Sequence, residues 1–316
     1  MSLSETSGVA VRVGSETTFG GGPTSGNGVK VLVTSVAIQE TQNKTATNEL
    51  DGTAIASKSL RGLVSVSGSI TMKVRAEQAG IWWTWFAGDP ATTGAGPYTH
   101  TWTLGSDTNL RTFAMETEFS SITTFQQYYG MVVTGISAPV LKDGDLLYTV
   151  NVIGQKAAQP GTTMFSGTVT DLTGETFVYQ AQDTGATFGT STVKISAGNM
   201  DFTRETRIAN AVDGTDYGFD VIRNKFRVDG TVTTWFENTD LLTAARSITA
   251  ESLAFDYDDG TRSLTMTCPS TEFDLFSVDV DANTDAQEPA VTFEATGTAM
   301  TVVAINAQAG TYYTGV

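Results

Sequence analysis

At 316 residues and 33.4 kDa the chain has room for one large domain or for two of about 100–200 residues each, and a 40% hydrophobic content with 16 Phe and 5 Trp excludes wholesale disorder. Lys and Arg number 18 against 34 Asp and Glu, a formal net charge of −16, which is the wrong sign for holding phosphate backbones or anionic lipid. With 53 Thr and 32 Gly the composition favours strands and turns over helical bundles, and the lone Cys268 excludes an internal disulfide.

Residues 1–28 have neither a basic start nor an apolar stretch of secretory length, so a soluble chain made in a cytoplasm is expected. They end in the turn-rich run Gly20 to Gly28, which reads as a flexible arm with order beginning at about Val29. Partial alternation predicts strands over Val29–Ile38 and Leu63–Val74, separated by a long polar loop. A loop of that length usually has a task. A helix is predicted over Glu77–Ala87, with Trp82 and Trp85 on its apolar face and Trp83 left for a subunit contact. Gly88, Asp89 and Pro90 end it. Further strands are expected at Phe113–Phe119, Gly130–Ile136 and Leu146–Val152, and the turn-rich stretch from Gly154 to Gly185 marks a domain boundary.

The second half repeats the first. At an offset of 162, Asn48-Glu49-Leu50-Asp51-Gly52-Thr53 aligns with Asn210-Ala211-Val212-Asp213-Gly214-Thr215, and Val66-Ser67-Gly68-Ser69-Ile70-Thr71 aligns with Val228-Asp229-Gly230-Thr231-Val232-Thr233. Over residues 48–71 against 210–233, eight of 24 positions are identical, Arg61 and Arg223 among them. The predicted helix has its counterpart in Asn238–Arg246. The expected architecture is therefore mainly β: two tandem duplicated β-sandwich domains, each with a flanking short helix. The expected boundaries are an N-terminal arm 1–28, a first domain 29–157, a linker or hairpin region 158–188, and a second domain 189–316 ending in a C-terminal strand.

This order of strand, long loop with N-x-[LV]-D-G-T, strand with V-x-G-[ST]-[IV]-T, and helix resembles the major tail tube proteins of long-tailed bacteriophages, specifically the duplicated tube-domain type. The resemblance implies a structural, non-enzymatic virion protein without cofactors, assembled in the host cytoplasm. It implies pseudo-hexameric rings of three chains stacked into a tube, with tape-measure and tail-terminator proteins as partners. Duplex DNA is then a transiting cargo and not a tight ligand, and no membrane is involved. Ring-stacking arms would be the loops Gln39–Gly62 and Arg204–Arg223, with Asn48, Asp51, Gly52 and Thr53 in one and Asn210, Asp213, Gly214 and Thr215 in the other. Some of the carboxylates are expected to face the lumen.

Other signals have plainer readings. Asp279 to Asp285 imitates the start of a calcium loop but has Thr284 where Gly is required and Ala290 where Glu is required, so it reads as an acidic turn. Asp256 to Gly260 reads as the turn of a hairpin between Leu253–Tyr257 and Leu264–Thr267. His100 is the sole histidine, in a loop context without a nucleophile elbow, and Cys268 reads as buried filler. The alternative in another class is a soluble glycan- or receptor-binding β-sandwich, an adhesin or capsid decoration protein, which would need an exposed aromatic platform.

Overall fold

The computed structural model describes residues 8–45, 59–105, 111–141, 143–171, 178–181, 184–189, 191–192, 194–212, 214–235, 239–247, 250–278, 288–297 and 300–309. The first half contributes β1 (Val9–Ser15), β2 (Gly28–Val31), β3 (Ser35–Thr45), β4 (Leu60–Lys73), α1 (Gln78–Ala87), β5 (Ala91–Thr93) and β6 (Tyr98–Thr103). It continues with β7 (Phe113–Phe119), β8 (Thr124–Leu141), β9 (Leu147–Gly154), β10 (Lys156–Ala158) and β11 (Val169–Asp171). The second half contributes β12 (Thr184–Phe188), β13 (Ser191–Thr192), β14 (Ile195–Ala209), β15 (Asp220–Thr234) and α2 (Asp240–Ser247). It ends with β16 (Glu251–Asp258), β17 (Ser263–Phe273), β18 (Ala290–Ala295) and β19 (Thr301–Asn306). The protein is mainly β, as its Thr- and Gly-rich composition predicts.

Strict alternation places the strands. In β9 Tyr148, Val150 and Val152 are buried while Leu147 and Asn151 are exposed, and in β18 Val291, Phe293 and Ala295 alternate with exposed Thr292 and Glu294. One sheet runs through both halves in the order β3-β4-β9-β8-β14-β15-β18-β17, every neighbour antiparallel. The long β8 leaves this sheet at its N-terminal end, where Gly130 turns with φ +61 and residues 124–131 pair instead with β7. Against the joined sheet lie a first-half layer built on β1, β2, β7 and β10, and a second-half layer built on β12, β16, β19 and β6.

The pairing pattern of the first half recurs in the second. Strand β7 lies between β1 and β8 as β16 lies between β12 and β17, and β4 between β3 and β9 as β15 between β14 and β18. The register shift in the β3–β4 hairpin falls between Gln42 and Lys44, and that in β14–β15 between Arg204 and Thr206, the same positions at the offset of 162.

Several expectations need correction. Within the expected flexible arm, Val9–Ser15 is a strand paired with β7 and β2, Val11 and Val13 are buried, and Arg12 bonds Glu116 at 2.9 Å. That carboxylate is itself fully buried and also accepts from Gln127 Nε2, Thr163 Oγ1 and the Met164 N–H. The strand expected over Val29–Ile38 breaks in two because the Gln78 side chain takes both the N–H and the carbonyl of Leu32 out of any ladder. Both ends of the polar loop expected after Ile38 are strand, since β3 runs to Thr45 and β4 begins at Leu60, and residues 46–58 between them lie outside the described residues. Trp83 faces no partner chain: it is buried, edge-on to Tyr148 and, at 4.8 Å between ring centroids, to Phe202 of the second half. His100 lies in β6 rather than in a loop.

Candidate functional site

The residues on which assembly was expected to turn divide between described and undescribed parts of the chain. Asn48, Asp51, Gly52 and Thr53, and likewise Asp213 and the segment Asp279 to Asp285, lie outside the described residues. Asn210, Gly214 and Thr215 are exposed in the connection between β14 and β15, where Gly214 has φ +84 and Thr215 Oγ1 donates to the Tyr217 carbonyl at 3.0 Å.

This connection sits on the first half of its own chain. The Val64 N–H donates to the Asp216 carbonyl at 2.7 Å, Gln42 Nε2 donates to Asp216 Oδ2 at 3.4 Å, and Gln155 Nε2 donates to the Gly218 carbonyl at 2.7 Å. The Lys156 ammonium stands 4.9 Å from the centre of the Tyr217 ring. Gly218 is required here: a Cβ would lie 2.1 Å from Ile208 Cγ2 and 2.7 Å from the Ala209 carbonyl oxygen. Sequence reasoning found the connection by its repeat but not its seat, because Gln42, Gln155 and Lys156 carry no mark of a partner so far along the chain.

The seam between the halves is the ladder of β8 with β14, from Gly135 opposite Thr203 to Leu141 opposite Ala197. At its buried side Ile136 and Phe202 are 1% exposed. Beyond the two ends of the joined sheet the edges differ in dressing. Among the described residues β3 pairs with β4 alone, and after Phe273 the chain continues past the end of β17 with Leu275 at 69% exposure.

The solvent face of the joined sheet is rich in hydroxyls. One row crosses every strand, taking Ser35, Thr71, Thr149 and Ser137 in the first half and Asp201, Asp229, Glu294 and Glu272 in the second. Like charges opposite one another repel, and Arg227 relieves the contact by pairing Asp229 at 3.4 Å and Glu294 at 3.2 Å.

Chemically reactive groups are occupied with structure. His100 Nε2 donates to the Gln308 carbonyl at 3.1 Å, Nδ1 accepts from Thr92 Oγ1 at 2.9 Å, and burial holds its pKa below the ordinary value. Burial pushes the Cys268 thiol up to about 12, so it is not a nucleophile at neutral pH. Asp258 and Asp259 accept turn N–H groups from Gly260, Thr261 and Arg262, closing the β16–β17 hairpin. No group of three or more His, Cys, Asp or Glu among the described residues is arranged to hold a metal ion.

Residues 6–299 match the family described as phage tail tube protein. The chain belongs to that family. No curated protein matches the sequence. Membership makes it a structural component of the virion tail, built for a tube, and no helix among the described residues is long and apolar enough to cross a membrane.

Proposed function

We propose that this tail tube protein is of the duplicated type, and that three chains, each giving one wall module from its first half, β1 included, and one from its second, close a pseudo-hexameric ring. Rings then stack into the tube through which duplex DNA passes, and tape-measure and tail-terminator proteins set its length. The reading is carried by the β8–β14 seam, in which the end strand of one module adds to the sheet of the next within one chain. A sheet that joins its modules this way and leaves β3 at one border and the continuation of β17 at the other invites the same union between chains. Repetition of one head-to-tail contact closes a ring and removes the open edges.

The sheet face lined by hydroxyls and carboxylates would be the lumen wall. Duplex DNA carries a charge about every 1.7 Å along its axis, so a wall that is neutral or acidic gives it no hold. An aromatic platform of the kind a glycan-binding module needs is not found in the tryptophans of α1 and β6, since Trp82, Trp83, Trp85 and Trp102 are all at most 2% exposed.

Electron microscopy of the concentrated, purified chain tests the reading. Hollow rods or rings built from three chains are expected. A particle that stays a monomer at every concentration, without rods or rings, overturns it.

A further inference from the structure

We propose that the β5–β6 arm of the first half clasps the second half, fixes the angle between the two modules, and so determines how many chains close a ring. This rests on the ring reading and names what sets its number.

Within one chain the halves are joined twice. The inner joint is the β8–β14 ladder. The outer joint is made by β6, which follows α1, pairs with β5 and then forms a ladder with β19 from Tyr98 opposite Asn306 to Thr103 opposite Thr301. Trp102 of this strand is buried, and its Nε1 donates to Thr84 Oγ1 of α1 at 3.2 Å. The Leu104 N–H extends the hold by donating to the Met300 carbonyl at 2.9 Å. The second half returns it, since Asn306 Nδ2 donates to the Ala76 carbonyl at 2.9 Å. From α1, Trp83 packs edge-on to Phe202 of β14 and Phe86 edge-on to Phe226 of β15, with 4.8 and 5.1 Å between ring centroids.

These parts are reduced where the second half would meet the next copy. Residues 88–112 separate α1 from β7, whereas α2 ends at Ser247 and β16 begins at Glu251, so residues 248–250 stand in the place of the arm and are too few for a hairpin of strands. At the offset of 162, Trp83 becomes Ala245, Phe202 becomes Glu40 and Phe226 becomes Val64. Every residue of α1 is buried, but of α2 only Ala244 and Ala245 are. Strand β10 pairs with β8 as β19 pairs with β17, yet among the described residues it has no second ladder, and Glu40 Oε1 accepts its Ala157 N–H at 3.3 Å. The chain-to-chain junction is left with its inner joint.

A single ladder is a loose gauge of angle, because the rotation between neighbouring strands varies over a span of about 25° among sheets. A second ladder on the outer layer turns that hinge into a corner. Six modules close a circle when each turns by about 60° from the last, and a ring of four chains needs about 45° at each of its eight junctions. Two free hinges per chain would share the change at about 15° each, inside the span one ladder allows. With the inner angle of the chain held by the clasp, about 30° falls on the chain-to-chain junction alone, outside that span. Three chains are then the number that closes.

The test is microscopy of rings formed by Trp102→Ala, which removes the buried indole that seats the arm. The share of four-chain rings and open arcs is expected to rise at least about tenfold over the natural chain. Closing the clasp again with Thr101→Cys and Val303→Cys, opposite one another in the β6–β19 ladder, is expected to restore three-chain rings in that background on oxidation, with the disulfide inside single chains on a denaturing gel. Cys268 is buried and stays in place. Asn306→Ala, which removes the side-chain hold on Ala76, is expected to shift ring size in the same direction and decides the matter if Trp102→Ala does not fold. Rings of Asn306→Ala and Trp102→Ala as uniform as the natural ones, or disulfides that join different chains, overturn the clasp and leave the ring reading standing. A natural chain that forms no ring overturns both.

Discussion

His100 shows how a residue type associated with chemistry can serve only to fasten the fold. Its two ring nitrogens tie Thr92 of β5 to the carbonyl of Gln308 beyond β19, and the side chain is fully buried. Because burial lowers its pKa from the ordinary 6.5, the unfolded chain takes up a proton at a higher pH than the folded chain does. The stability that neutral His100 contributes is therefore complete above about 6.5 and is lost as the pH falls toward the lower, folded value. Urea denaturation at a series of pH values should show the natural chain losing stability more steeply below about pH 6.5 than a His100→Gln variant, whose other acid-sensitive groups are the same. Parallel slopes would show that His100 contributes nothing to the pH dependence. In the sequence the residue reads as a loop histidine because its partner stands 208 positions away. Trp83 was misplaced for a related reason. Helical phase separates an inner face from an outer one only where a helix has an outer face, and every residue of α1 is buried.

Among the elements, those with local alternation, such as β7 and β9, and those that recur could be read from the sequence. The hairpins β3–β4 and β14–β15 announce themselves by identical residues at a constant offset, and their shared bulge shows that the offset holds to the single residue. Strand β1 escaped notice because the Gly- and Ser-rich run after it resembles an untethered arm, although Val9, Val11 and Val13 already alternate. What holds β1 in place is its ladder with β7, a hundred residues on, and no local pattern reports that. The end of β17 was legible only by comparison with β8. Continuing the β17–β18 ladder two residues past Phe273 would set Leu275 where β8 has Ile136, and Ile136 is 1% exposed while Leu275 is 69% exposed. Ile136 is covered by β14, and on the proposed ring Leu275 would be covered by β3 of the next copy. Leu275→Asp should leave the thermal unfolding of the single chain within about 0.5 kcal/mol of the natural protein, since exposed positions tolerate substitution. It should nevertheless abolish rings and rods, by sedimentation and microscopy. Rings formed as readily by Leu275→Asp would remove this border from the interface.

At the scale of the whole molecule, part of the acidic excess behind the net charge of −16 lies in one row of the joined sheet. The row that crosses the joined sheet changes from four hydroxyls to four carboxylates at the β8–β14 seam, between Ser137 and Asp201. The two halves therefore share a pattern of strand pairing but not a surface. A ring of three chains with this face inward would present three acidic arcs alternating with three neutral ones, all at one height. In such a ring, repulsion of phosphates by the arcs would keep the DNA from settling on the wall, and the hydroxyl arcs would give it no fixed cation to pair with. Asp201 and Glu272 suit a test, because Arg227 pairs the two acids between them and not these. Virions carrying Asp201→Lys and Glu272→Lys should eject their DNA more slowly than the natural phage, and raising the salt concentration should recover part of the rate by screening the new contacts. Asp201→Asn with Glu272→Gln, which removes charge without adding a cation, should slow ejection far less. If the lysine pair assembles normal tails and ejects at the natural rate at low salt, the row does not face the passing DNA.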